Sequence, residues 1–110
     1  MRQRLPNRRP AQRLTFWFKG LEYSCGIGYY SNGDYGEIFI SCGKSGSDAQ
    51  ILMLEAAVLA SLLFQHGGKA KELHSAMPKT DRGEPEGPIG TLLELLAKAE
   101  AKDANEELLR

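Results

Sequence analysis

The dipeptide Asn32-Gly33 separates two runs rich in β-forming residues, LEYSCGIGYY (21–30) and YGEIFISC (35–42). Asn-Gly is the strongest short-range hairpin signal, because both residues tolerate the positive φ that a two-residue turn needs. Lys19-Gly20 makes a second tight turn after RLTFWF (13–18). Three antiparallel strands joined by two hairpins are expected.

The turns fix a register. With Asn32 and Gly33 central, Tyr30 faces Tyr35, Ile27 faces Ile38, Cys25 faces Ile40 and Tyr23 faces Cys42. With Lys19 and Gly20 central, Phe18 faces Leu21, Phe16 faces Tyr23 and Leu14 faces Cys25. Opposed residues share a sheet face. One face, the expected core, then gathers Leu14, Phe16, Phe18, Leu21, Tyr23, Cys25, Ile27, Tyr29, Ile38, Ile40 and Cys42. The outer face gathers Thr15, Trp17, Glu22, Ser24, Gly26, Gly28, Tyr30, Glu37, Phe39 and Ser41. Cys25 and Cys42 are diagonal neighbours, roughly 7–8 Å apart, too far for a bridge. They read as two buried thiols.

Helices follow. Ser47 to His66 is a long central helix, with Ser47 as N-cap, Gln50 completing a capping box and Gly67-Gly68 ending it. Its apolar residues occupy nearly every side, so a sandwiched position is expected. A short helix covers about 70–77 and stops before Pro78. PKTDRGEPEGP (78–88) is a loop, and Gly87-Pro88 opens a helix whose Ile89, Leu92, Leu93, Leu95, Leu96 and Ala99 keep a 3.6 period. The fold class is α+β, a three-stranded antiparallel sheet packed on a long central helix plus two further helices. Residues 1–12 read as an extended basic arm, 13–99 as one domain and 100–110 as a polar tail.

With 110 residues, 42% apolar and 25% charged, the chain suits one compact domain. Its formal net charge of zero, without a basic helix, argues against nucleic acid. The run Ile51–Phe64, interrupted by Glu55 and Ser61, reads as too short for a bilayer, and no apolar signal core follows the N-terminal arginines. No membrane partner and a cytoplasmic location are expected.

GKSGS (43–47) joins a strand to a capped helix start. A Walker A loop needs a glycine five positions before Gly43, where Ile38 stands, so a P-loop fails on spacing. Backbone N–H groups there, beside Lys44, can still hold an anion; alternatively the glycines only permit the corner. Outside, Trp17, Tyr30 and Phe39 project around the gap left by Gly26 and Gly28. They suit a self-association surface or a ring-stacking platform, unless the arm folds over them. Arginine forks in the arm suit phosphate, and a free tail is the alternative. The expected phosphate ligands are Lys44, Ser45, Ser47, Arg8 and Arg9; the expected stacking or oligomer residues are Trp17, Tyr30 and Phe39. His66 and His74 read as surface or capping residues, neither cysteine has an evident base, and no metal spacing occurs. No catalytic residue, metal or cofactor is expected.

The stretches RLPNRRP, GEIFISCGKSGSDAQ, AAVLASLLFQHG and GPIG resemble the small C-terminal domain of adenosylcobalamin-dependent ribonucleotide reductases, and the stand-alone bacterial and phage proteins built from it. The resemblance covers about residues 5–96. It departs from the reductase-attached version in having no cysteine after Cys42, and the reductase barrel with its radical cysteine and cobalamin site is absent from these residues. It implies an α+β accessory or binding module near nucleotide metabolism, not catalysis. Two functions are open. One is a homo-oligomeric, non-catalytic binder of a phosphate-bearing nucleotide, such as a phage sponge that sequesters cyclic-nucleotide or ADP-ribose-type defence signals. The other is an interaction module that docks on a reductase or other protein partner with no small ligand.

Overall fold

A computed structural model describes residues 1–42 and 46–108, with side chains up to residue 103. The chain runs β1 (Ala11–Phe18), β2 (Leu21–Tyr29), β3 (Tyr35–Ser41), α1 (Asp48–Gln65), α2 (Ala70–Ala76) and α3 (Pro88–Leu108). The fold is α+β, with a three-stranded antiparallel sheet in the order β1-β2-β3. The chain divides into two compact units, Met1–Gly68 and Lys69–Arg110. β1 starts at Ala11, two residues inside the stretch expected as arm, and α3 continues as helix to Leu108 through the stretch expected as tail.

In the first unit Lys19 and Gly20 both have positive φ (49° and 78°), as the first hairpin requires. The pairs Leu14–Cys25, Phe16–Tyr23 and Phe18–Leu21 all form. The second hairpin differs from expectation in a compensated way. Gly33 N–H donates to Tyr30 O and Tyr30 N–H to Asp34 O, both at 2.9 Å, and only Gly33 has positive φ. Asn-Gly therefore closes a three-residue loop of Ser31, Asn32 and Gly33, and Tyr29, not Tyr30, faces Tyr35. The ladder then shifts between Tyr29–Tyr35 and Gly28–Glu37, leaving Gly36 as the extra residue of a bulge. That restores Ile27–Ile38 and Cys25–Ile40. Without the bulge the one-residue slip would turn Ile38 and Ile40 outward.

Phe16, Tyr23, Cys25, Ile27, Ile38 and Ile40 are buried on the core face. Phe16 stacks on Tyr23 at 5.4 Å between centroids, and Tyr35 bridges Tyr29 and Phe64 at 5.6 and 5.9 Å. Cys25 is buried, but Cys42 is only half-buried, because the strand ends before it.

α1 runs antiparallel along the open edge of β3. Ser61 Oγ accepts from Ile38 N–H at 2.9 Å, Gln65 Nε2 donates to Gly36 O at 2.9 Å, and Gln50 Oε1 accepts from Cys42 N–H at 3.2 Å. Six strand residues and fifteen helix residues both span about 20–22 Å, so the two elements stay in step. Ser47 is the N-cap, accepting from Gln50 N–H. Gln50 Oε1, expected at the cap, accepts from Cys42 N–H at the end of β3. At the other end Gly68 N–H bonds Leu63 O and Gly67 N–H bonds Phe64 O, with Gly67 at φ 95°, a Schellman close.

Of the 18 residues of α1 only Gln50, Ala57, Ala60, Ser61, Phe64 and Gln65 are buried, so it is not sandwiched. With 18 residues it is also long and apolar enough by length and composition to cross a membrane, which corrects the shorter reading of the Ile51–Phe64 run.

The second unit pairs α2 with α3. Leu73, Leu92, Leu93 and Leu96 are buried. Lys79 Nζ donates to the carbonyls of His74, Ser75 and Met77, satisfying the end of α2. Residues 78–87 close on themselves through a Lys79–Pro85 bridge, with Thr80 Oγ1 accepting from Arg82 and Glu84 N–H. Gly87 O accepts both the N–H and the hydroxyl of Thr91 at the start of α3.

Candidate functional site

On the outer sheet face, strand pairing arranges side chains in rows. Ala11, Gly28 and Glu37 form one row, Arg13, Gly26 and Phe39 the next, then Thr15, Ser24 and Ser41, then Trp17 and Glu22. The middle of this face is built from small residues. A groove of about 440 Å³ lies over it, lined by Arg13, Ser24, Gly26, Gly28, Glu37 and Phe39 among others. The two glycines expected to leave a gap do line one.

Phe39 leans over Gly26, where a Cβ would sit 3.5 Å from its ring, and the ring remains 57% exposed. Directly across the glycine, two strand spacings or about 10 Å away, stands Arg13. Arg13 is exposed and is engaged by no described ion pair. Nothing local in the sequence distinguishes it from Arg2, Arg4, Arg8 and Arg9. Its signal was the alternation itself, which pairs Arg13 with Gly26 and Gly26 with Phe39.

Gly28 has a different task. A Cβ there would lie 2.6 Å from Glu37 Cγ and Oε1, so the glycine lets the Glu37 side chain cross β2. Glu37 thereby meets Arg9, whose Nε and Nη2 donate to its two carboxylate oxygens at 2.9 Å each. Arg9 Nη1 also donates to Pro6 O at 2.6 Å. The carboxylate that borders the groove is thus matched by a guanidinium.

The arm is tied down throughout. Gln3 N–H donates to Gln65 O at 2.8 Å, and Arg2 Nε to Gln65 Oε1 at 2.6 Å. Leu5 occupies the space over Gly36, the Tyr30 hydroxyl donates to Gln3 O, and Pro10 O accepts from Tyr29 N–H. Burial raises the Tyr30 pKa, with Arg2 acting the other way. The arm covers the Gly36–Glu37 end of β3 and leaves Trp17 and Phe39 exposed.

The expected phosphate ligands do not come together among the described residues. Lys44 and Ser45 lie outside them. Ser47 Oγ serves the helix cap, Arg9 is held by Glu37, and Arg8 is exposed. Glu37 is about 13 Å along β3 from Ser41, where the corner begins, so Arg9 and the corner belong to opposite ends of the strand. The three aromatic residues are also apart: Tyr30 holds the arm, and Trp17, 65% exposed, is two rows and about 13 Å along the sheet from Phe39.

The remaining reactive groups are quiet. Burial pushes the Cys25 thiol up to about 11, and the Tyr23 hydroxyl is raised by burial and by its contact with Cys42. His74 Nε2 faces the Glu94 carboxylate at 3.4 Å without hydrogen-bonding it, and Lys98 lies 3.5 Å from the same carboxylate. Among the described residues no group of histidine, cysteine and carboxylate side chains is arranged to hold a metal ion. Compared with protein-family models, with curated proteins and with solved structures, the chain matches none.

Proposed function

We propose that the chain is a non-catalytic, cytoplasmic binder of a phosphate-bearing nucleotide or of a signal derived from one, which it sequesters in the groove on the outer sheet face. The observation that carries this reading is the row Arg13–Gly26–Phe39, a cation and an exposed ring on either side of a residue with no side chain. The ring offers a stacking face to a base, and the guanidinium offers a fork to phosphate at a distance a nucleotide can bridge. Neither residue is a nucleophile or a general base, which favours binding over chemistry. Glu37 would repel an anion, but Arg9 neutralises it. The resemblance to the small domain of ribonucleotide reductases supports a nucleotide as the ligand class.

The test is a thermal-shift panel of nucleoside mono- and diphosphates, ADP-ribose and cyclic dinucleotides, followed by calorimetry on whichever shifts the protein. Phe39→Ala should weaken binding by about 10-fold or more through lost stacking. Arg13→Ala should weaken it by about 10- to 100-fold through a lost charge-assisted contact. Both residues are exposed, so circular dichroism and unfolding should stay near wild type. Binding that survives both substitutions contradicts the groove as the site.

A further inference from the structure

The sheet has two edges, and the chain treats them differently. Along β3, side chains of α1 occupy the outward Ile38 N–H, Gly36 O and Cys42 N–H. Along β1 no such cover is described. The Tyr29 N–H donates to Pro10 O at 2.9 Å, and the pairs Gln12–Ile27, Leu14–Cys25 and Phe16–Tyr23 continue that phase. Even-numbered residues of β1 therefore bond β2, and the N–H and C=O groups of Ala11, Arg13, Thr15 and Trp17 point away from the sheet. All four residues are exposed, and no described hydrogen bond reaches those outward groups. β1 is eight residues long and pairs with β2 in one unbroken register. It has no bulge, no internal proline and no charge on its core face, the devices that blunt an edge.

We infer that β1 pairs antiparallel with β1 of a second copy of the chain, about a two-fold axis at Thr15, so that two three-stranded sheets become one. The strand is self-complementary about that residue. Arg13 and Trp17 stand two positions to either side of it on the outer face, so each copy's guanidinium meets the other's indole as a cation–π pair. Leu14 and Phe16 stand one position to either side on the core face and meet as an apolar pair. Thr15 meets Thr15. The neighbouring registers are worse. An axis at Arg13 sets two Arg13 charges against each other, and one at Phe16 sets Arg13 against Lys19. An axis at Leu14 sets Arg13 against Thr15 and Trp17 against Ala11, which leaves the cation and the ring without each other.

A second copy is the occupant because both halves of each side-chain pair lie on β1 itself, and no other sequence has to supply them. About six main-chain hydrogen bonds, made by Arg13, Thr15 and Trp17 of each copy, cross the axis, within the range of a specific interface. The pairing also gives the exposed Trp17 a place. Within one chain it lies two rows from Phe39, but the partner's Trp17 follows Arg13 in the row Phe39–Gly26–Arg13. The groove then gains a ring from the other copy. That consequence rests on the groove as the ligand site; the strand pairing needs no ligand.

The experiment is light scattering and native mass spectrometry on the full chain at micromolar concentrations, with amide hydrogen exchange read along β1. The wild type should be a dimer or a multiple of one, with the Arg13, Thr15 and Trp17 amides protected. Thr15→Pro removes an outward donor and none that bonds β2. Circular dichroism should therefore stay near wild type, while the dissociation constant rises by about 100-fold or more and the Arg13 and Trp17 amides exchange fast. Thr15→Lys keeps the N–H but sets two charges face to face, and should raise the dissociation constant by about 10-fold. In a Cys42→Ser background, Thr15→Cys should cross-link the dimer on mild oxidation, because opposed hydrogen-bonded residues hold their Cα atoms about 5.5 Å apart. A monomeric wild type overturns the inference, as does an oligomer that leaves the three amides unprotected or is indifferent to both Thr15→Pro and Thr15→Lys. A dimer that Thr15→Cys does not cross-link overturns the axis at Thr15. None of these readouts uses a nucleotide, so a failed groove leaves the pairing standing.

Discussion

Gln65 joins three parts of the chain through one residue: its amide donates to Gly36 O and accepts from Arg2 Nε, and its backbone carbonyl accepts from Gln3 N–H. Gly28 and Glu37 work together in the same region, because the bidentate Arg9–Glu37 pair needs the space a glycine leaves. Gly28→Ala should cost about 1–3 kcal/mol in urea unfolding, as overpacking does. In a Glu37→Ala background the same substitution should cost much less, since nothing would cross β2. Equal costs in both backgrounds would show that Glu37 is not what requires the glycine. Cys25 supports a pH prediction. Its folded pKa of about 11 stands above the ordinary value of 9.0, so the thiol contributes stability in full below pH 9 and loses it as pH rises toward 11. The loss is on the order of 2 kcal/mol. The raised Tyr23 hydroxyl acts in the same direction from about pH 10. Cys25→Ala should flatten the decline in urea-unfolding stability between pH 9 and 11, and in the native wild type Cys25 should resist alkylation at pH 8.

At the scale of elements, α1 replaces a fourth strand. Ser61, Gln65 and Gln50 satisfy the edge of β3 that pairing would otherwise leave open, which also protects that edge from adding another chain. Ser61→Ala removes the acceptor of Ile38 N–H in a buried setting and should cost about 1–3 kcal/mol, read from the urea midpoint. A cost near zero would mean that another acceptor takes over. These same residues explain why part of the fold was legible and part was not. Lys19-Gly20, the alternation in β1 and β2, the Ser47 cap and the Gly67-Gly68 stop act locally, so spacing alone exposed them. Ser61 looked like an interruption of an apolar run, because its partner is 23 residues away. The Gly36 bulge was hidden for a related reason. Asn32-Gly33 suits two turns that differ by one residue, and only the position of the arm and Gln65 around Gly36 selects between them.

At the scale of the molecule, the chain offers two surfaces with different chemistry. The groove on the outer sheet face is floored by small residues, with Phe39 as its ring and Arg13 as its cation; on α1 the exposed large residues are aliphatic, Leu52, Val58, Leu59 and Leu63 the most exposed among them. The glycine gap and Phe39 were visible in the sequence because alternation assigns faces reliably once a turn is fixed. Arg13 was not singled out, since among five N-terminal arginines nothing local distinguishes it; only its pairing through Gly26 does. Arg9 is held by Glu37 near the start of β3, away from Ser41 at its end, because two segments that both carry phosphate-binding residue types need not share an end of a strand; Lys44 and Ser45 lie outside the described residues. Native mass spectrometry of gently purified wild type and Phe39→Ala, with analysis of any released small molecule, asks whether the Arg13–Gly26–Phe39 row holds a nucleotide. A phosphate-bearing nucleotide should be released from the wild type and little or none from Phe39→Ala. A wild type that carries no such molecule and then takes up none from the nucleotide panel would contradict it.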